Sequence, residues 1–247
     1  MSRILAVARA TLAEAIRHRI LYLLLIFALA LIAGSRLLTL LTVGEDAKII
    51  MDFGLSAINL FGVMIALFVG VGIIFRELER RTVQVTLSGP VARWEYLLGK
   101  YAGLAAAITL NTALMAAALV IALVARSAFA PPILVAVFLL WIELLFITAA
   151  AVFFSSFSTP IFSALFTGAT YVVGHLAWSL PLFEQKLPQG AARAIVHAVY
   201  LVLPDLEYGD VRALAVHGAA IPAARVAGAT VYELCYAGLL LIVACLA

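Results

Sequence analysis

FRELERRTVQVTLSGPVARWEYLLGKYAG, residues Phe75–Gly103, is the stretch on which the reading of this chain turns. It is the only long polar interruption before residue 180, and a continuous apolar segment flanks it on either side. Arg76, Arg80, Arg81, Arg93 and Lys100 are interleaved with Glu77, Glu79 and Glu95. A loop this ionic between two membrane-spanning segments has to lie in water.

The rest of the chain supplies the membrane. Of 247 residues, 66% are hydrophobic and only 12% charged, with a mean hydropathy of +1.17. A soluble domain carries about twice that charged share. The apolar residues fall in blocks of roughly 20, the length of a spanning helix. Six such segments are predicted, at about 20–41, 53–75, 101–124, 132–154, 161–182 and 226–247. The expected fold is an all-α polytopic membrane protein, read as a single domain over 1–247 with no internal repeat or low-complexity linker. A net charge of +3 then reflects which loops face the cytoplasm and does not point to nucleic acid.

Residues 2–18 form a helix of a different kind. At 100° per residue Ile4, Leu5, Ala8, Leu12, Ala15 and Ile16 share one face, and Arg3, Arg9, Glu14 and Arg17 the other. That pattern predicts an amphipathic helix in the membrane interface. A signal peptide cleaved near Ala33-Gly34-Ser35 is the alternative, against which the apolar run continues past those residues. With six spans both termini share one side. Arg3, Arg9, Arg17 and Arg19 add to the five cations of the 76–100 loop, whereas the short connections opposite hold only Lys48 and Arg126, so cytoplasmic termini are expected. Lys186, Arg193, Arg212 and Arg225 in 183–225 run against that bias. Within this outer region, 190–203 is apolar but too short to span and ends at Pro204, followed by the turn PDLEYGD and a weaker apolar stretch broken by Pro222. Two short re-entrant helices are expected there. The last apolar segment runs to Ala247 with no basic stop, which leaves its C-terminal boundary open.

The run Glu79-Arg80-Arg81-Thr82, then Leu87, Pro90-Val91, Arg93-Trp94-Glu95-Tyr96-Leu97-Leu98-Gly99-Lys100 and Gly103 resembles the loop between the second and third spans of ATP-binding-cassette transporter permeases of the type-2, export-type family. The specific likeness covers about 28 residues, and the order of helices extends it along the chain. The resemblance implies a permease subunit in the cytoplasmic (inner) membrane of a prokaryote, paired with a second permease copy or homologue. It implies two separate ATPase subunits that bind the ATP and magnesium, and accessory subunits on the outer face fit the same architecture. In that family the N-terminal helix and the loop helix sit in a cleft on the ATPase. Carried over by position, the ATPase contacts are Glu77, Glu79, Arg80, Arg81, Thr82, Pro90, Arg93, Trp94 and Glu95. The sequence departs from the family pattern at Ala92, where serine would complete a capping box with Glu95. A helix starting there forgoes roughly 1 kcal/mol of capping, and a start with Gly89 as cap and Pro90 as first residue is the alternative. The plain reading of the loop is that its arginines only anchor two spans. That leaves the interleaved acids, and Trp94 and Tyr96 after a proline turn, without a reason, whereas a protein contact uses them.

No GxxxxGK[ST], HExxH or GxSxG occurs, and the histidines His18, His175, His197 and His217 are scattered. The chain is therefore expected to be a non-catalytic subunit with no cofactor or metal of its own. Cys235 and Cys245 lie about 15 Å apart along one helix, too far for a mutual disulfide. Ionisable residues inside spans are the remaining pointers: Arg36, Glu143, His175 and Glu233. Arg36, His175 and Glu233 sit roughly 8–10 Å below the outer ends of their spans. One reading joins them in a polar network with Arg36 paired to Glu233; the other has Arg36 snorkelling outward and Glu233 in loop water. Glu143 is either a substrate-path residue or a protonated, hydrogen-bonded packing residue. Gly99 and Gly103 form a GxxxG, read as packing within the chain ahead of a dimer seam. Tyr171, Trp178 and the phenylalanines of spans two and five are expected to face lipid or core. Two other functions are weighed: an ATPase-independent secondary transporter or channel, which would want paired intramembrane charges and broken helices in corresponding halves, and a membrane anchor that tethers an ATPase without moving cargo.

Overall fold

The computed structural model describes residues 3–38, 46–73, 75, 92–186 and 190–246. Its elements are helices α1 (Arg3–Ile16), α2 (Arg19–Leu38), α3 (Asp46–Ile65), α4 (Arg93–Val124), α5 (Pro132–Ser155), α6 (Pro160–Leu176), α7 (Leu180–Lys186), α8 (Ala191–Val202), α9 (Arg212–Val216) and α10 (Ala223–Leu246). A π-helical turn, Ala66–Gly70, carries α3 on to Ile73, and a 3-10 turn, Ala177–Ser179, joins α6 to α7. Among the described residues there is no strand.

Among the described residues, five helical runs are long and apolar enough to cross a membrane: Ala47–Ile73, Arg93–Val124, Pro132–Ser155, Pro160–Lys186 and Ala223–Leu246. The pair α1–α2 meets the same test only when taken together across a 60° bend, and counting it as one span would bring the total to six. The bend falls at the polar Arg17-His18-Arg19, where three cationic or polar residues in a row interrupt the apolar pattern. The chain is a multi-pass membrane protein.

Helix α5 is the centre of the bundle, buried along Leu139–Val152 except at Trp141 and packed by α3, α4, α6 and α10. Its all-round apolar character is that of a helix surrounded by protein. Close approach is bought with glycine: a Cβ on Gly62 of α3 would lie 2.5 Å from the Leu144 side chain of α5. Helix α2 buries Leu21, Leu24, Ala28, Ile32 and Ser35 at a helical spacing, while Tyr22, Leu23, Ile26 and Phe27 face outward. Apolar residues on both faces suit a helix with protein on one side and lipid or a further subunit on the other.

Three expectations change. Helix α4 is one unbroken helix from Arg93, so its 32 residues span about 48 Å against the roughly 30 Å of a hydrocarbon core. The charged residues 93–100 thus belong to the start of that helix and extend it beyond the bilayer. Its first residue is fixed by Ala92, whose extended φ −73°, ψ 151° puts it outside the helix as N-cap, so the start at Pro90 is not adopted. Beyond α8, which matches the short apolar run 190–203, the second short helix shrinks to the five residues of α9. Gly218, at a φ of +67°, ends it, and the chain runs on non-helically to Pro222.

Candidate functional site

Two places concentrate polar chemistry, at opposite ends of the bundle. The proximal end is where α4 begins; the distal end holds the 203–216 segment.

At the proximal end α1 runs parallel to the first turns of α4. The seat is the glycine pair. A Cβ on Gly99 would meet Val7 at 2.7 Å and the Ile4 carbonyl at 3.0 Å; one on Gly103 would meet the Ala8 carbonyl and Thr11 Cβ, both at 2.6 Å. Backbones this close leave no room for any side chain, which is what GxxxG supplies. The same closeness selects which stripe of α1 turns inward. Thr11 and Ala15 are fully buried and Val7 packs against the core, whereas Leu5 is exposed. Small residues win the interface because the larger leucine cannot approach. Thr11 satisfies its hydroxyl by donating to the Val7 carbonyl at 2.9 Å.

Glu95 joins the two helices. Its carboxylate accepts the Ala92 N–H at 2.9 Å, the half of a capping box that needs no hydroxyl at residue 92, and lies 3.5 Å from the Arg3 guanidinium. Glu95 is therefore engaged within the chain. Arg93 and Trp94 project outward beside it, Trp94 half exposed. Lys100 departs from the expectation of a water-facing loop: only 2% exposed, its ammonium sits 5.6 Å above the Tyr96 ring. Glu77, Glu79, Arg80, Arg81, Thr82 and Pro90 lie outside the described residues.

At the distal end three of the four intramembrane residues gather on neighbouring elements. Glu143 of α5, 3% exposed, has its Oε1 3.7 Å from His175 Nε2 of α6. Glu233 of α10, 2% exposed, lies against the turn 206–209, so close that Gly209 has no room for a Cβ. Glu143 is within electrostatic range of Glu233, Asp210, Glu207 and Arg212. The side chain of Arg36 is outside the described residues, so its pairing with Glu233 is too. Tyr171 packs against the core, one of its two expected places, donates its hydroxyl to Asn59 Oδ1 of α3 at 3.3 Å and sets its ring at a tilt against His175, 4.7 Å between ring centres.

Glu207, Asp210 and Arg212, legible in the sequence only as parts of the outer 183–225 region, complete this cluster. The Leu206 N–H donates to the Gly174 carbonyl at 3.1 Å and the Tyr232 hydroxyl accepts the Asp205 N–H at 2.9 Å, which docks the turn on α6 and α10. Asp210 accepts from the Arg212 backbone N–H at 2.9 Å and from its guanidinium at 3.0 and 2.5 Å. Burial would raise the Asp210 pKa, but these hydrogen bonds outweigh it and hold the carboxyl below its ordinary range. Arg225 adds donors to the Tyr208 and Asp210 carbonyls, each at 3.2 Å. The signal was present in the acid-rich turn PDLEYGD with Arg212 two residues after its last acid, but only folding brings it over Glu143 and His175.

The profile of the ABC-2 family transporter proteins matches residues 5–204, from α1 through the end of α8. The chain belongs to the ABC-2 transporter family. As a permease of that family it implies an ATP-binding-cassette ATPase as partner. The matched region contains the α1–α4 seat from Leu5 onward and Glu143–His175, and it ends at Pro204, where the acid-rich turn begins. No curated protein matches the chain.

Proposed function

We propose that this ABC-2 permease uses its proximal end as the surface that receives work from the ATPase, and that it exports a substrate across a prokaryotic cytoplasmic membrane. The observation that supports this best is the construction of that end. A helix that continues unbroken into a span begins outside the bilayer, carries α1 locked along it by Gly99, Gly103 and the Arg3–Glu95 pair, and presents Arg93 and Trp94 outward. A push at Arg93–Trp94 would act on α4 as a lever without an intervening hinge.

In this reading α2, α3, α4, α5, α6–α7 and α10 are six spans, the proximal end and both termini are cytoplasmic, and the distal end faces outward. Two copies, or this chain and a homologous permease, pair through outward apolar faces such as Tyr22–Phe27 of α2 and Ile161–Phe166 of α6. Two ATPase subunits hold ATP and magnesium, and the permease itself is non-catalytic. The N-terminal helix does not lie free in the interface but moves with α4.

The test is charge reversal at the proximal end, Arg93→Glu with Glu79→Arg, followed by co-purification of the ATPase and by ATP-driven transport in liposomes. Truncation of a central contact costs about 2 kcal/mol or more, so retention of the ATPase should fall roughly 30-fold. Full retention with unchanged ATP-dependent activity would remove the coupling role from this end. Retained ATPase with no transport by the unmodified protein would instead make the chain an anchor.

A further inference from the structure

We infer that the distal cluster is a binding site for one first-row divalent cation, with zinc as the probe, ligated by His175, Glu207 and Asp210 and backed by Glu143. One ring nitrogen of His175 and one carboxylate oxygen each of Glu207 and Asp210 lie within 4.8 Å of one another. These residues come from α6 and from the turn ahead of α9, two elements already fixed together by the Leu206–Gly174 backbone bond. A single imidazole with carboxylate oxygens suits zinc and its neighbours.

A second, independent observation lies behind the three. The His175 Nδ1 is 3.2 Å from the Tyr171 carbonyl, an acceptor only, so Nδ1 carries the proton and donates. Nε2 faces the Glu143 Oε1 at 3.7 Å, beyond hydrogen-bond reach; both atoms are buried and neither has a hydrogen-bond partner. Two buried polar atoms aimed at one another yet left without partners call for a ligand between or beside them. The Nδ1–H donation to a carbonyl also orients and charges an imidazole for metal binding. Asp210, gripped by Arg212, is pre-oriented in the same way, and it lines an open cleft of about 530 Å³ between the start of α3 and α9 that gives the site access to solvent. Bringing atoms now up to 4.8 Å apart onto one ion asks for side-chain adjustment of about 1 Å. Bound there, the cation would staple the acid-rich turn to α6 and neutralise the facing carboxylates.

The experiment uses the purified full-length permease in lipid nanodiscs, stripped with chelator and titrated with zinc by calorimetry and with cobalt by visible absorption. The expected result is one saturable ion per chain, a ligand-field band from bound cobalt, and X-ray absorption showing one imidazole nitrogen among oxygens. His175→Gln and Glu207→Gln should each weaken binding at least about tenfold, and Glu143→Gln by about 10–100-fold. His197→Ala, at a separate exposed Glu184–His197 pair, should leave it unchanged. Absence of a saturable ion on the unmodified protein, a site without imidazole, or binding indifferent to His175→Gln and Glu207→Gln would overturn the proposal. Binding abolished by His197→Ala would assign the ion to the other pair and overturn it equally. The spectroscopy on unmodified protein stands even if a variant fails to fold.

Discussion

At the scale of single residues the proximal end is built from compromises that make sharp predictions. Ala92 leaves one N-terminal N–H of α4 without the side-chain acceptor that serine would give, while Glu95 supplies the reciprocal bond. Ala92→Ser should therefore stabilise the start of α4 by about 1 kcal/mol, read as roughly fivefold slower amide exchange in residues 93–96. Glu95→Ala should do the reverse and loosen α1 as well, because the Arg3 partner goes with the cap. Unchanged exchange in both variants would mean that the helix start is held by something other than this cap. Lys100 makes a different point. Its charge argued for a water-facing position, and in isolation that inference is sound. What the sequence did not display is that Tyr96, one turn earlier, offers its ring to the ammonium and that both side chains are buried.

Elements decide how that end works. The GxxxG at 99–103 was legible as a close-packing motif because two glycines one turn apart make a flat groove on any helix. Its occupant was not, since α1 lies about ninety residues away in sequence and only the fold sets the register of Val7 on Gly99 and Thr11 on Gly103. Gly103→Val should force the helices apart and cost about 1–3 kcal/mol, seen as protease access to α1 in membranes and as ATP hydrolysis that no longer drives transport. Persistent protection of α1 in that variant would contradict the seat. Which stripe of α1 turns toward α4 was not legible for the same reason. Hydrophobic spacing finds the apolar face, but close backbone contact favours Ala8, Thr11 and Ala15 over a bulkier Leu5. At the other end the five-residue α9 shows the limit of composition: Val211, Ala215 and Val216 are apolar enough to suggest a longer helix, yet they are spent on the core beneath a turn held by Asp210 and Arg212.

For the whole molecule, the spans were the most legible feature, because a bilayer demands long apolar helices and each charged break is costly to hide. The pairing of Glu143 with His175, and their cover by Glu207 and Asp210, was not legible, because it joins α5, α6 and a turn separated by tens of residues. A topology with the two ends on opposite sides also follows. With the native Cys235 and Cys245 replaced by serine, a single cysteine at Trp94 should react with a membrane-impermeant thiol reagent only in inverted vesicles, and one at His217 only in right-side-out cells. Labelling of both from the same side would refute the opposed ends. The most direct measurement of all is site-specific photocrosslinking from position 94 in membranes that carry the ATPase. The predicted result is a crosslink between the permease and the ATPase whose yield changes when ATP is bound. No crosslink to any ATPase in either nucleotide state, from a tip that reaches the cytoplasm, would contradict the claim that this end receives the work of ATP.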